Sequence, residues 1–205
     1  MSETTLECLG LPCPQPVLRC KDAVEGHSPD RIVVTVDNDA ARENVSRFLG
    51  TRGYAVETSL SGDTRVIIGT RGGTRTDTPA PGPGQGGENA PAAGQRILVF
   101  VSADTIGSGD DGLGGRLMGN FLSTLKEMGC DLWRIILVNG GVRLSVPGSP
   151  CLEQLQALEA AGVSVLVCGT CLEHFGLTNN RRVGQTTNML DVVTSFQLAT
   201  KTVHV

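Results

Sequence analysis

The first third of the chain switches between the hydrophobic periods of strands and of helices. The segment RIVVTVD (31–37) alternates apolar and polar residues, which predicts a half-buried strand. The other predicted elements are a strand at 4–10, helices at about 14–25 and 40–50, and a hairpin of two strands turning at 61–63. We expect Asp39 to cap the second helix, with Val45, Phe48 and Leu49 facing inward. The order β-α-β-α-β-β predicts a two-layer α/β sandwich.

The last 110 or so residues follow a different rhythm. RILVFVSA, LWRIILVNG and VSVLVCG are nearly continuous apolar runs, which is typical of strands covered on both faces. Helical patterns lie between and after them, at about 112–128, 150–161 and 186–199, and TVHV reads as a final strand. We therefore predict a three-layer α/β domain with a mostly parallel sheet. Reactive groups in such sheets usually lie beyond the carboxyl ends of the strands.

A compositional break separates these two regions. In residues 74–94, nine of 21 positions are Pro or Gly and none is a large apolar residue. Such a segment cannot bury enough apolar surface to offset the entropy lost on ordering. We predict two domains, at 1–73 and 95–205, joined by a flexible linker over 74–94.

Charge and composition exclude several functional classes. The net charge of -4 is spread over both regions, and no basic run predicts binding to a phosphate backbone, so we expect no nucleic-acid partner. The N-terminus lacks the pattern of a signal peptide, and no apolar run approaches the ~18–20 residues that span a bilayer. We expect a cytoplasmic protein whose seven cysteines stay reduced.

The sequence Leu11-Pro12-Cys13-Pro14-Gln15-Pro16 carries the first candidate thiol, Cys13. Because proline is favoured at the first helical position, Pro14 predicts a helix start with Cys13 as its N-cap. Pro14 and Pro16 remove backbone donors from the first turn, so the amide of Gln15 remains for the sulfur. A helix N-terminus lowers a thiol pKa from about 8.5. The alternative is that Cys13 is a small buried hydrophobe.

Two neighbouring cysteines have different expected roles. Cys20 is spaced with Val17 and Val24 as one helical face, which predicts a core position. Cys8 lies in the first predicted strand, where its side is undetermined, and it stays a candidate for a second thiol near Cys13.

The segments LECLGLPCPQPVLRCKDAV and DNDAARENVSRFLGTRGYAV resemble the TusA/SirA-like sulfur-carrier family over residues 5–72. The hallmark of that family is a Cys-Pro-x-Pro turn, matched here by Cys13, Pro14, Gln15 and Pro16. The resemblance implies that Cys13 accepts sulfane sulfur as a persulfide and passes it to a partner protein, with Pro14 and Pro16 in supporting roles.

The segment VLVCGTCLEHFGL carries a Cys-x-x-Cys pair, Cys168 and Cys171, at the end of a predicted strand. Such a pair suits a dithiol couple, a persulfide relay or two metal ligands. His174 offers a third ligand, but zinc takes about four ligands and no second Cys-x-x-Cys exists, so we predict no metal. Buried structural thiols remain an alternative.

Residues 96–205 resemble the DsrE-like domains of sulfur-relay proteins. NGGVRLSVPGSPCLEQLQALEAAGVSVLVCGTCLEHFGL is similar to the C-terminal half of YedF-type selenium-metabolism proteins, which combine a TusA-like with a DsrE-like domain. The resemblance implies a sulfur-bearing cysteine at this strand end. Its register favours Cys168, with Cys171 as the neighbour, and it implies selenium as an alternative cargo.

The segment Gly107-Ser-Gly109-Asp-Asp-Gly112 has the spacing of a dinucleotide-binding loop, with Asp131 about 20 residues further on. Asp110 and Asp111 place negative charge where a pyrophosphate would approach, so we predict no nucleotide or other cofactor and expect this loop to support the thiol site.

The remaining cysteines and histidines show no partner signal. Cys130 and Cys151 are expected to pack, although a lowered thiol pKa suits Cys151 at a predicted helix start. His27 and His204 read as surface residues.

Together these observations predict a sulfur or selenium carrier, or a sulfurtransferase-like relay protein, with Cys13, Cys168 and Cys171 as reactive thiols. We expect a cysteine desulfurase-type donor, a downstream acceptor, a selenophosphate-synthesis partner and a homo-oligomer. The open alternatives are a dithiol oxidoreductase using Cys168 and Cys171, and a non-catalytic redox-sensing interaction module.

Overall fold

The computed structural model of the chain describes residues 2–72 and 95–205. The chain divides into two compact units, Met1–Ala90 and Pro91–Val205, which are considered separately below. The linker predicted at 74–94 lies outside the described residues.

The first unit is a four-stranded sheet with two helices. Its elements are β1 (Glu3–Glu7), α1 (Gln15–His27), β2 (Arg31–Val36), α2 (Asp39–Thr51), β3 (Tyr54–Ser61) and β4 (Thr64–Arg71). The strand order is β1-β2-β4-β3, with β1 parallel to β2 and the other pairs antiparallel. Ile32, Val34 and Val36 are fully buried on one face of β2, so the predicted period and the predicted element order are confirmed.

The second helix of this unit differs in detail from the prediction. Its N-cap is Asn38, whose side chain accepts a hydrogen bond from the amide of Ala41 at 2.7 Å. The prediction that Asp39 caps the helix was therefore wrong. The carboxylate of Asp39 instead accepts hydrogen bonds from two guanidinium nitrogens of Arg65 on β4, at 3.1–3.2 Å. Val45 and Leu49 are buried as predicted.

Phe48 was predicted to face inward and is only half-buried. The guanidinium of Arg52 lies 5.3 Å from the centre of the Phe48 ring, so a charged group covers part of the ring at the surface.

The second unit is a five-stranded parallel sheet with helices around it, which confirms the predicted fold class. The strand order is β8-β7-β6-β5-β9. The strands are β5 (Ile97–Val101), β6 (Leu132–Leu137), β7 (Ser164–Cys168), β8 (Gln185–Thr187) and β9 (Lys201–His204). The helices are α3 (Asp111–Thr124), α4 (Leu152–Ala160), α5 (Gly169–His174) and α6 (Met189–Leu198), with 3-10 turns at Leu125–Asp131, Asn139–Ser145 and Thr178–Asn180.

The sheet of the second unit carries two layers of apolar contacts. The larger layer joins the sheet to α3, α4 and α5 and includes Met118, Leu122, Leu155 and Leu172, all buried. The smaller layer packs Val192 of α6 against apolar side chains of the central strands. Among the described residues, no helix is both long and apolar enough to cross a membrane.

Candidate functional site

Cys13 is exposed in the loop that joins β1 to α1. The helix begins at Gln15, and Pro14 rather than Cys13 occupies the N-cap, so the predicted cap position was wrong by one residue. The carbonyl of Pro14 accepts hydrogen bonds from the amides of Val17 and Leu18, which makes Pro14 the last residue before the helical turn. Pro16 lies in that first turn, as predicted, and is buried.

The amide of Gln15 does not point to the sulfur as the sequence suggested. It donates to the carbonyl of Pro12 at 2.8 Å and so closes a tight turn around Cys13, whose peptide bond to Pro14 is cis. The turn between Pro12 and Gln15 therefore has a hydrogen-bonded backbone and presents the thiol outward.

The loop that carries Cys13 is anchored to the sheet on both sides. The amide of Cys8 donates to the carbonyl of Thr35 at 2.9 Å, and the amide of Gly10 donates to the carboxylate of Asp37 at 2.7 Å. Gly10 has a φ of +67°, a conformation that favours glycine. On the helical side, Arg19 donates to the carbonyl of Glu7 at 3.2 Å. These contacts fix the position of the exposed thiol without burying it.

The other two cysteines of this unit are fully buried. Burial raises the pKa of Cys20 to about 12, with a further contribution from the nearby Cys8. Burial also raises the pKa of the Cys8 thiol, against the opposing charge of Arg19. Cys20 is thus a core residue, as predicted. Cys8, whose side of the strand the sequence left open, faces the core as well, and its thiol has reduced reactivity.

Cys168 and Cys171 lie together at the carboxyl end of β7. Cys168 is the last residue of the strand and Cys171 lies in the first turns of α5. Their sulfur atoms are 3.0 Å apart, with the thiol of Cys171 donating to that of Cys168. Cys168 is only 9% exposed, whereas Cys171 is half-buried. The sequence favoured Cys168 as the reactive thiol, but the side chain that reaches solvent more readily is Cys171.

The sulfur of Cys171 also accepts a hydrogen bond from the backbone amide of Asn139, at 3.1 Å. Asn139 follows the carboxyl end of β6, the strand beside β7, and has a φ of +46°. Sequence reasoning missed this residue. The available signal was the turn sequence Asn139-Gly140-Gly141 directly after an apolar strand.

Gly141 allows the Asn139 turn to lie against the end of β5. A Cβ at Gly141 would lie 2.6 Å from the carbonyl oxygen of Val101, a distance that no side chain tolerates, whereas a Cβ at Gly140 would meet its nearest neighbour at 3.5 Å. The close approach at Gly141 therefore places the Asn139 amide over Cys171.

An open cleft of about 520 Å³ borders this region of the second unit. Arg143, four residues after Asn139, lines it together with Phe175, four residues after Cys171. The guanidinium of Arg143 lies 4.5 Å from the centre of the Phe175 ring and 3.6 Å from the carboxylate of Asp104. This set of a cation, a ring and an acid was not predicted from the sequence.

The glycine-rich loop before α3 also differs from a nucleotide site. Asp110 is the N-cap of α3, and its carboxylate accepts a hydrogen bond from the amide of Leu113. The helix end is thus capped by the protein's own anion. Asp104 and Thr105, which precede the loop, line the cleft beside Arg143, and Gly114 packs directly against Thr105.

Of the remaining cysteines, Cys151 packs in the interior as predicted, whereas Cys130 does not. Cys130 is exposed, not packed, because it lies in the 3-10 turn after α3, where Gly129 turns the chain outward with a φ of +56°. Cys151 is the N-cap of α4 but is buried, and burial raises the pKa of its thiol, opposite to the lowered value that a helix start suggested. His27, His174 and His204 are exposed.

Residues 2–72 and 95–205 contain no group of three or more His, Cys, Asp or Glu side chains arranged to hold a metal ion. None of the seven cysteines, all of which lie in the described ranges, forms a disulfide.

The two units match different protein families. The profile described as Sulfurtransferase TusA matches residues 4–69, and that of the DsrE/DsrF-like family matches residues 103–203. No curated protein shows a significant match to the chain.

Two solved structures are similar to parts of the chain. The SirA-like protein from Desulfitobacterium hafniense is 30% identical, with a TM-score of 0.32, and the match covers 34% of this chain and 99% of that protein. The ychN protein from E. coli is 18% identical, with a TM-score of 0.45, covering 54% of this chain and 99% of ychN.

The two family matches define the class: the chain joins two domains whose families are both related to sulfur relay. It is a TusA/SirA-like domain fused to a DsrE-like domain. Both families interact with sulfur donors and acceptors.

Proposed function

We propose that the protein is a carrier of sulfane sulfur, or of selenium in the same oxidation state, which it holds as a persulfide-type adduct on Cys13. The observation that carries the proposal is the exposed Cys13 thiol on a turn closed by the Pro12–Gln15 hydrogen bond. A carrier thiol must reach the active sites of two different partners, and a fixed, protruding turn meets that requirement.

Family membership supports the assignment of this thiol. The Cys-Pro-x-Pro turn at Cys13, Pro14 and Pro16 lies within the residues matched by the sulfurtransferase profile. The donor would be a cysteine desulfurase-type enzyme acting in a reducing compartment such as the cytoplasm, where free thiols persist. Sulfurtransferase-like transfer would then move the outer sulfur from Cys13 to an acceptor protein and restore the Cys13 thiol.

The second thiol site, Cys168 and Cys171, is proposed as a receiver of the cargo. Its support is the pair of adjacent sulfurs at a sheet edge, with Cys171 reachable from solvent. Selenium as the cargo, as in YedF-type proteins, and a selenophosphate-synthesis partner rest on the sequence resemblance of the second domain. We also propose that the protein self-associates as a homo-oligomer.

The proposal is tested by incubating the reduced full-length protein with a cysteine desulfurase and cysteine, followed by mass spectrometry. A carrier gains about 32 mass units on the peptide that contains Cys13, because the thiolate takes up one sulfur atom. The Cys13→Ser variant should lose this adduct.

Cys130→Ser is the matched control, since Cys130 is the other exposed cysteine. If the Cys130 peptide is labelled as strongly as the Cys13 peptide, exposure alone explains the labelling and the carrier assignment fails.

A dithiol oxidoreductase is the second candidate, favoured by the 3.0 Å contact between the sulfurs of Cys168 and Cys171. An oxidoreductase would reduce a disulfide substrate at the same rate in the Cys13→Ser variant and without any sulfur donor. A carrier would require both Cys13 and the donor.

A further inference from the structure

The two sulfurs of the second thiol site have unequal access. Cys171 is half-buried, while Cys168 is 9% exposed and closes the apolar end of β7. A persulfide held by another molecule can therefore be attacked by Cys171, but Cys168 can react only with what Cys171 already carries.

Two contacts prepare Cys171 for that reaction. The Asn139 amide donates to its sulfur at 3.1 Å, which fixes the position of the attacking sulfur. The sulfur of Cys168 lies 3.0 Å from the sulfur of Cys171, so the Cys168 thiol is within reach of it.

We propose that this pair releases its cargo as a hydrochalcogenide anion (hydrosulfide, or hydroselenide for selenium) instead of handing on a persulfide. Cys171 is the receiving thiol and Cys168 the resolving thiol. The inference rests on the proposed function only for the source of the cargo, because any persulfide that reaches Cys171 would undergo the same step.

The release step balances as follows for sulfur. The thiolate of Cys168, having lost its proton to solvent, attacks the Sγ of the Cys171 persulfide. A Cys168–Cys171 disulfide forms, the bond from Cys171 to the outer sulfur breaks, and its electron pair leaves with the outer sulfur as HS⁻. The outer sulfur is reduced by two electrons, and the two cysteine sulfurs supply one electron each.

The geometry suits this displacement. The sulfurs start 3.0 Å apart and must close to the ~2.05 Å of a disulfide, a shift of about 1 Å between side chains only three residues apart. Each turnover leaves an oxidised pair, so continued release requires a dithiol reductant of the thioredoxin class.

The test uses the full-length Cys13→Ser chain, reduced and freed of reductant under nitrogen, with one equivalent of glutathione persulfide. Released hydrosulfide is trapped as its bimane adduct, and the protein is mapped by mass spectrometry without reduction. We expect about one equivalent of hydrosulfide per chain above a protein-free control, and a Cys168–Cys171 peptide about 2 mass units lighter than the dithiol.

Three further variants in the same background isolate the resolving thiol. In Cys168→Ala, hydrosulfide release should fall at least about tenfold, and a persulfide about 32 mass units heavier should remain on Cys171. Cys168→Ser repeats this test with a different replacement in the buried position. Cys130→Ser, which removes an exposed thiol outside the pair, should release as much as its parent.

A persistent persulfide on the intact pair, with no disulfide, would show that the site stores its cargo and would overturn the inference. Undiminished release from both Cys168 variants would do the same, as would the absence of any reaction at Cys171. Because Cys13 is already replaced and no desulfurase is used, these outcomes are independent of whether Cys13 is a carrier.

Discussion

At the scale of single residues, burial separates thiols that can meet a reagent from thiols that cannot. Cys13 and Cys130 are exposed, Cys171 is half-buried, and the other four are buried at Cys8, Cys20, Cys151 and Cys168. Burial also suppresses ionisation, because a thiolate without solvent is strongly disfavoured. Burial accordingly raises the pKa of the Cys8, Cys20 and Cys151 thiols, which are therefore both inaccessible and poorly ionised.

We predict that iodoacetamide at pH 8 modifies Cys13 and Cys130 first, then Cys171, and leaves Cys20 intact in the native protein. With its pKa raised to about 12, Cys20 is a thiolate in only about one molecule in 10⁴ at this pH. Peptide mapping of timed samples gives the order of modification.

A sample unfolded in urea provides the control, since all seven thiols should then react at similar rates. Native modification of Cys20 as fast as that of Cys130 would contradict the core packing described for α1.

At the scale of elements, the turn that begins at Asn139 links the end of β5 to the second thiol site. We predict that Gly141→Ala lowers the free energy of unfolding by about 1–3 kcal/mol, because its Cβ would lie 2.6 Å from a backbone oxygen. The same displacement should move the Asn139 amide away from Cys171 and slow the alkylation of that thiol.

Gly140→Ala is the matched control, since its Cβ would meet only an ordinary contact at 3.5 Å. It should change stability by no more than about 0.5 kcal/mol. Equal effects of the two substitutions in urea unfolding would mean that the close approach at Gly141 does not position the turn.

The pair between Asp39 on α2 and Arg65 on β4 gives the first domain a pH dependence. Hydrogen bonds from Arg65 hold the pKa of Asp39 below its usual value of about 3.9. A lowered folded-state pKa stabilises the domain above the unfolded value, and this contribution is lost as pH falls through the folded-state pKa.

We therefore predict that Asp39→Asn lowers the urea midpoint at pH 7 and that its difference from wild type shrinks below about pH 3. Asp22→Asn, which removes an exposed carboxylate of α1, should leave the midpoint unchanged at both pH values. A constant difference between wild type and Asp39→Asn across this range would show that the ionisation of Asp39 is not the source of the effect.

Long, periodic elements were predictable from the sequence, whereas short ones and contacts between loops were not. β2 and the apolar runs of β5, β6 and β7 were predicted because a strand period or a continuous apolar run marks burial directly. β8 and α5, with three and six residues, carry too short a pattern to be recognised.

The same limit applies to the candidate site. Cys13, Cys168 and Cys171 stand in recognisable local motifs, so the sequence could nominate them. The Asn139 amide and the Arg143–Phe175 stack depend on which strands are neighbours in the sheet, and no local pattern contains that information. The exposure of Cys130 was not predicted because burial is decided by tertiary packing.

At the scale of the whole molecule, we predict that Cys13 passes its cargo to the second thiol site within one chain. A flexible chain of 21 residues, the length predicted for the linker from its composition, would have an r.m.s. span of about 25 Å, comparable to the diameter of a small domain. Tethering at that range gives an effective concentration on the order of millimolar, above that of a micromolar free partner.

In persulfide-loaded Cys168→Ala protein, where a persulfide on Cys171 is not resolved, label should leave the Cys13 peptide for the Cys171 peptide at a rate that does not change on dilution. Cys13→Ser should abolish loading of the second site by a desulfurase. Loading of that site to the same extent in Cys13→Ser would mean that the two domains serve separate partners.

The uneven burial of the cysteines also determines which disulfides each domain can form when it is oxidised. Cys8 and Cys20 are buried inside the first domain, so an oxidised Cys13 can form a disulfide only with a thiol outside its own domain, such as glutathione, a second chain or the tethered Cys171. The sulfurs of Cys168 and Cys171 lie 3.0 Å apart, so these two residues can form a disulfide with each other. Peroxide would thus link the first domain to thiols outside it and form an internal disulfide in the second.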